Sequence, residues 1–237
     1  MSALDDLLAV QNHDTATDRL RHRRATLPEL AELASVGDRL AQVEVSLAEI
    51  TGRRDEVARR EKRLDDEIAA VSAKMKEVKS LLYSGTVSAI RELQAMEAEV
   101  EALTRRRSAL EDELFEAMEE REPLDAGVAA LEDERRQLDA EGSRLHALVA
   151  EAQAALDSEL ALEQEARAKA AAGLPPDLAA LYEQLRARSD GVGAARLVNG
   201  RCGGCHLALP ATEVDRLRRQ SSDVPQRCEQ CARILVP

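Results

Sequence analysis

Apolar residues recur at alternating steps of four and three along most of this chain, and the rhythm is interrupted at residues 83–88. Before the break run Val36, Leu40, Val43, Leu47, Ile50, Val57, Leu64, Ile68, Val71, Met75, Val78 and Leu82. After it run Leu93, Met96, Val100, Leu103, Leu110, Leu114, Ala117, Leu124, Val128, Leu131, Leu138, Leu145, Val149, Ala152 and Leu156. A sustained seven-residue repeat flanked by charges specifies a coiled coil. Within the break, Gly85 supplies backbone freedom, and the neighbouring Ser and Thr compete for backbone hydrogen bonds. Two limbs of nearly equal length joined by so short a turn fold back as an antiparallel helical hairpin. The alternative is one continuous helix that dimerises in parallel, with the turn a mere stutter.

The rest of the composition agrees with a thin seam rather than a thick core. The chain has one Phe, two Tyr and no Trp, so its apolar burial must come from Leu, Val and Ala. The net charge is −12, yet residues 194–237 hold seven arginines against four acids, so the acidic excess lies in the helical part. An acidic rod is a poor general binder of nucleic acid or anionic lipid. No apolar run approaches the roughly 20 residues that cross a bilayer, and the opening Met-Ser-Ala-Leu-Asp-Asp lacks a signal-peptide layout. A cytoplasmic location is expected.

Punctuation along the chain predicts its divisions. A first helical segment carries Leu4, Leu7, Leu8, Val10 and Leu20, and Pro28 predicts a kink near 26–28. The limbs are expected over 28–82 and 89–172. On the return limb the seven-residue count places Arg107, Arg121, Arg135 and Gly142 on the seam, and Pro123 predicts a bend. A register that sets Arg54 against Ala117, and Arg107 against Leu64 near Glu61, keeps two cations out of one layer. Gly173-Leu-Pro-Pro-Asp177 ends the rod, with Asp177 the expected cap of a short helix to residue 188. A short strand at 194–198 and an Asn199-Gly200 turn follow. The expected domains are a coiled-coil hairpin over 1–172, a linker over 173–193 and a small module over 194–237 with its own separate core.

That last module carries the chemistry. Cys202-Gly-Gly-Cys205 and Cys228-Glu-Gln-Cys231 are two C-x-x-C pairs. Four thiolates so paired close a tetrahedral Zn2+ site, and in a chain without an export signal they read as metal ligands rather than disulfides. An iron-bound form and a redox dithiol pair are the competing uses. A closed four-cysteine site has no open position for water or substrate, so one structural Zn2+ is expected, supplying much of the module's folding energy. No Gly-rich phosphate loop, nucleophile elbow or triad accompanies it, and the chain reads as a non-enzyme. A short helix over 213–220, capped by Thr212, is expected to put Arg216 and Arg219 on one face and Leu217 in the core. With Arg201 and Arg233 these are candidate contacts to nucleic acid or to a partner; the plainer reading is solubilising charge.

A long helical hairpin followed by a four-cysteine module ending Cys231-Ala-Arg-Ile-Leu235 resembles the bacterial C4-type zinc-ribbon family. Leu82-Tyr-Ser-Gly-Thr-Val87, Glu92-Leu-Gln94 and Leu181-Tyr182 match it as well. The resemblance implies a mainly α fold: a coiled-coil hairpin with a zinc ribbon of short strands and one short helix. It also implies an adaptor, some relatives being linked with flagellar or type III secretion and an alternative sigma factor, and the ribbon being a nucleic-acid-binding candidate. Knuckles of that family often carry Gly after the second cysteine, where this chain has His206 and Ala232. The leading expectation is therefore a protein–protein adaptor, monomeric or weakly dimeric. RNA or DNA binding through the ribbon is the first alternative and a thiol redox or metal sensor the second.

Overall fold

The computed structural model describes residues 2–219 and 224–237. Its elements in order are α1 (Ala3–Ala25), α2 (Pro28–Leu82), α3 (Ile90–Ala171), α4 (Pro176–Arg188), β1 (Ala194–Val198), β2 (Arg201–Cys202), α5 (Ala211–Arg219), β3 (Gln226–Arg227) and β4 (Ile234–Val236). The fold is the mainly helical hairpin with small C-terminal strands that the sequence predicts. Contacts divide it into two compact units, Leu33–Arg144 and the pair of segments Met1–Glu32 with Leu145–Pro237. The boundaries expected from the sequence, 172 and 193, follow its helix and cysteine motifs rather than contacts.

In the unit Leu33–Arg144, α2 and α3 run antiparallel around a narrow core of Val57, Leu64, Leu110, Ala117 and Leu124. Each buried Val or Leu side chain contributes about 1.5–3 kcal/mol relative to exposure, and Ala117 less. The pairing differs from the expected register. Ile50 sits against Gly127, where a Cβ would collide with its Cδ1, and Val36 lies by Gly142. The cation layer that the expected register avoids is defused differently. Arg54 turns to Asp55 on its own helix at 2.7 Å. Arg121 pairs with buried Glu61 and with Asp125. Arg107 takes Glu111 at 3.2 Å rather than Glu61. Local carboxylates neutralise each seam arginine, so like-charge repulsion does not select the register. Arg135 is exposed and off the seam, and α3 continues unbroken through Pro123.

In the other unit α1 begins with a Ser2–Asp5 capping box and ends at Thr26, where Pro28 opens α2. Its apolar face, Leu4, Leu7, Leu8 and Val10, packs with Leu178, Tyr182 and Leu185 of α4 and with Ala194, Ile234 and Val236 of the strands. The expected side-chain cap on α4 is absent: the helix starts at Pro176 and Pro175 holds the cap position. Asp177 lies inside the first turn, where its carboxylate favours the positive end of the helix dipole rather than capping it, and Pro176 at the first position removes one of the free amides. Asp14 of α1 is a buried hub. It accepts from the Tyr182 hydroxyl at 2.7 Å and from Arg167 at 2.7 Å, with Arg186 at 3.5 Å. Burial first, and then the Asp14 carboxylate, hold the Tyr182 phenol well above its usual range.

The strands form one sheet in the order β2-β1-β4-β3, with β1 and β4 parallel and the flanking pairs antiparallel. Side chains alternate across it. Ala194, Ile234 and Val236 face the helical core, whereas Ala195 and Leu235 face the cysteines with Leu217. The small module's core is therefore one of two that share a sheet.

Candidate metal centre

Two hairpin-like knuckles with the same hydrogen bonding bring the cysteines together. Cys202 N donates to Leu207 O at 3.0 Å and Cys228 N to Arg233 O at 2.9 Å. His206 N and Ala232 N each donate back to the first cysteine's carbonyl, Cys202 O and Cys228 O, at 2.8 Å. That closure needs a left-handed residue, and His206 and Ala232 adopt φ 63° and 61°. The positions where the resembling family often has Gly thus keep the glycine-like conformation here. Gly203 and Gly204 are required for another reason, close approach. A Cβ on Gly203 would meet Arg196 O at 2.8 Å, and one on Gly204 would meet the Arg233 side chain. Asn199 and Gly200, both at positive φ, make the turn that delivers β2 to Cys202.

The four Sγ atoms all lie within 4.8 Å of one another. Cys202 to Cys231 is 3.8 Å and Cys205 to Cys228 is 3.9 Å. A tetrahedron of sulfurs about 2.3 Å from Zn2+ has edges of about 3.8 Å, so this donor set fits zinc. Cys202 and Cys228 are buried, Cys205 and Cys231 half-buried. Burial pushes the Cys202 thiol up and the Cys228 thiol up to about 12. Burial acts the same way on Cys231, but hydrogen bonds from Arg233 and the neighbouring thiols outweigh it and bring that thiol down to about 7.

The candidate arginines are not equivalent. Arg233 donates through Nε to Val192 O at 2.9 Å and through a terminal nitrogen to Ser189 O at 3.1 Å, tying the knuckle to the loop after α4. Its guanidinium thus has a structural role in holding this loop. Arg201 is exposed, with a long 3.4 Å contact to His206 O. Arg216 and Arg219 are exposed on α5, and Arg216 approaches Glu229 at 3.9 Å. That helix begins at Ala211, ahead of the expected Thr212 cap, and Leu217 is buried as expected. The last expected helical residue, Gln220, lies outside the described residues. Unforeseen in the sequence is the clasp by Gln11. Its Oε1 accepts from Gly193 N at 2.7 Å and Ala194 N at 3.2 Å, and its Nε2 donates to Gly191 O at 3.1 Å. A glutamine on the apolar face of α1 is the one signal that could have marked it.

A profile of the CT398-like coiled coil hairpin domain matches residues 10–190, and one of the C4-type zinc ribbon domain matches 201–235. The chain belongs to the CT398-like coiled-coil hairpin family. An uncharacterized protein of Mycobacterium tuberculosis strain H37Rv is 34% identical over 97% of this chain and 93% of its own length. One from Mycobacterium leprae is 31% identical over 90% and 88%. A solved structure from Mycobacterium smegmatis superposes with TM-score 0.88 at 25% identity, covering 100% of this chain and 99% of that one. CT398 from Chlamydia trachomatis superposes at 0.73 with 22% identity, over 99% and 97%, a likeness of fold. Family membership places the four cysteines in a zinc-ribbon domain. Among the described residues no helix is long and apolar enough to cross a membrane.

Proposed function

We propose that this protein is a non-enzymatic adaptor, in which one structural Zn2+ holds the ribbon and the coiled coil binds a protein partner. The observation that carries this reading is the closed donor set. Four protein sulfurs lie within 4.8 Å of one another, and four thiolates would fill the coordination sphere of a tetrahedral Zn2+ with no position left for water or substrate. Cys202, Cys205, Cys228 and Cys231 would hold the ion, whose role is to cross-link two knuckles and so stabilise the ribbon. What the molecule then offers is surface. A reducing cytoplasm, where such thiols stay unpaired, is the compartment that suits them. One chain supplies all four ligands and both limbs, so a monomer suffices. The test is affinity purification of the full chain from nuclease-treated extract. A protein recovered in fixed ratio, and held equally well after nuclease, is expected; recovery of nothing but nucleic acid before treatment would end the adaptor reading.

A second reading, nucleic-acid binding by the ribbon, is favoured by exposed Arg216 and Arg219 on one helix. Combining Arg216→Ala with Arg219→Ala, with zinc content checked first, should then weaken RNA binding and lower its salt slope by about one to two. Unchanged or absent RNA binding removes this face from consideration.

A further inference from the structure

The turn between α2 and α3 is built unlike an ordinary solvated turn. Tyr83 is 82% exposed, Ile90 73% and Leu81 46%. Turns and their flanks normally carry small polar residues, and three large apolar side chains left exposed between residues 81 and 90 have no folding role. The backbone beneath them is nevertheless ordered. Ser84 Oγ donates to Leu81 O at 2.8 Å, lies 2.6 Å from the Thr86 hydroxyl, and accepts from Thr86 N at 3.2 Å. Gly85 at φ 72° supplies the left-handed step. An apolar patch on a turn fixed in advance loses little conformational freedom on binding.

Its charge is also out of character with the chain. Residues 74–92 hold four cations, Lys74, Lys76, Lys79 and Arg91, and two anions, Glu77 and Glu92, in a protein of net charge −12. All four cations are exposed, and Lys74 alone is turned to Glu77, at 3.3 Å. An aromatic and aliphatic centre with a basic rim is the anatomy of a protein-binding hot spot. A polyanion would find less here: Glu77 and Glu92 leave residues 74–92 a net charge of +2, below the clusters of about four to eight basic residues that anionic membranes attract.

We propose that this hairpin tip is a docking head for an acidic protein surface bearing an apolar pocket, with Tyr83 and Ile90 entering the pocket and Lys76, Lys79 and Arg91 meeting its acidic rim. The proposal rests on the adaptor reading and names the surface that serves it. Electrostatic attraction brings the partner to the basic tip of a protein whose net charge is −12, and burial of the tip's apolar side chains holds it there.

The test is photo-crosslinking in the protein's own host cells, with benzoylphenylalanine replacing Tyr83 in one full-length chain and exposed Leu148 in another. The expected result is one crosslinked protein from position 83 and none from position 148. Purified, that protein should be acidic and bind the wild-type chain with an affinity that falls with salt. Tyr83→Ala with Ile90→Ala should weaken it more than tenfold, and Lys76→Ala with Lys79→Ala should weaken it and flatten the salt dependence. All these residues are exposed, so the variants should retain wild-type helicity and zinc. A partner crosslinked from position 148 but not 83 overturns the tip while sparing the adaptor reading; no protein from either position overturns both. Crosslinks from 83 to RNA or lipid alone, or Tyr83-dependent binding of poly(U) or phosphatidylglycerol vesicles, overturn the protein occupant. A partner indifferent to the lysine changes overturns the acidic rim.

Discussion

At the residue scale, each knuckle turns on a residue that is not glycine. His206 and Ala232 stand at φ 63° and 61°, where an L side chain crowds the following carbonyl at a cost of about 1–2 kcal/mol. The geometry is kept because each amide closes a 2.8 Å bond to a cysteine carbonyl, and a bound Zn2+ would tie the four thiols to one another. Ala232→Gly should therefore stabilise the zinc ribbon by about 0.5–1 kcal/mol, strain relief exceeding the extra chain entropy, whereas Ala232→Val should destabilise it by more than that. Thermal unfolding of the zinc-loaded variants checks both signs. The thiols make a second expectation. Zinc takes thiolates, so protons compete with it. Between about pH 7 and 12 the Cys228 thiol still carries its proton whereas Cys231 does not; below about 7 both are protonated. Zinc affinity should fall as pH falls, and its logarithm should fall more steeply, by one further proton, below about pH 7. A chelator competition series with constant slope through that point would refute the assignment of the low thiol.

At the element scale, heptad periodicity made the hairpin limbs legible almost to the residue, because a seam repeating every seven residues has no other stable use in water. Register was not legible. The expected pairing assumed that Arg54 and Arg121 must be kept apart, yet Asp55 takes the first and Glu61 with Asp125 the second. What does distinguish registers is steric: Gly127 leaves room for the Ile50 side chain, whereas a Cβ on Gly142 would make only ordinary contact with Val36. Small residues opposite branched ones are visible in the sequence, but their partners are set by the whole seam. Ile50→Cys with Gly127→Cys should form an intramolecular disulfide readily, and Ile50→Cys with Arg121→Cys should not. Non-reducing electrophoresis of the zinc-loaded protein reads this directly, and a disulfide-linked dimer would instead revive the parallel continuous helix.

At the scale of the whole molecule, the four-cysteine motif was legible because two C-x-x-C pairs so placed match the ligand spacing of a four-cysteine metal site. The destination of α1 was not. Leu4, Leu7, Leu8 and Val10 announce a buried face, but what buries it is α4 and the Ile234–Val236 strand at the far end of the sequence. The parallel pairing of β1 with β4 leaves the helical core on one side and the cysteines with Leu217 on the other. A ribbon with a separate core would unfold alone when its metal is removed; one whose sheet also covers the helical core is expected not to. Without the ion, β3 and β4 lose the cross-link to β2, Ile234 and Val236 lose their fixed position, and α1 and α4 lose the surface they cover. Gln11 and Asp14 would then be left with fewer partners for buried polar atoms, at about 1–3 kcal/mol for each unsatisfied group. Removing zinc with a chelator, or making Cys228→Ser, should therefore raise amide exchange in α1 and α4 as well as in the ribbon. Residues 33–144 should keep their protection, because their core of Val57, Leu64, Leu110, Ala117 and Leu124 draws on none of these side chains. Hydrogen exchange followed by mass spectrometry separates the outcomes by peptide. Faster exchange confined to residues 194–237 would mean that the sheet does not couple its two faces, and faster exchange throughout would mean that the two units do not unfold independently.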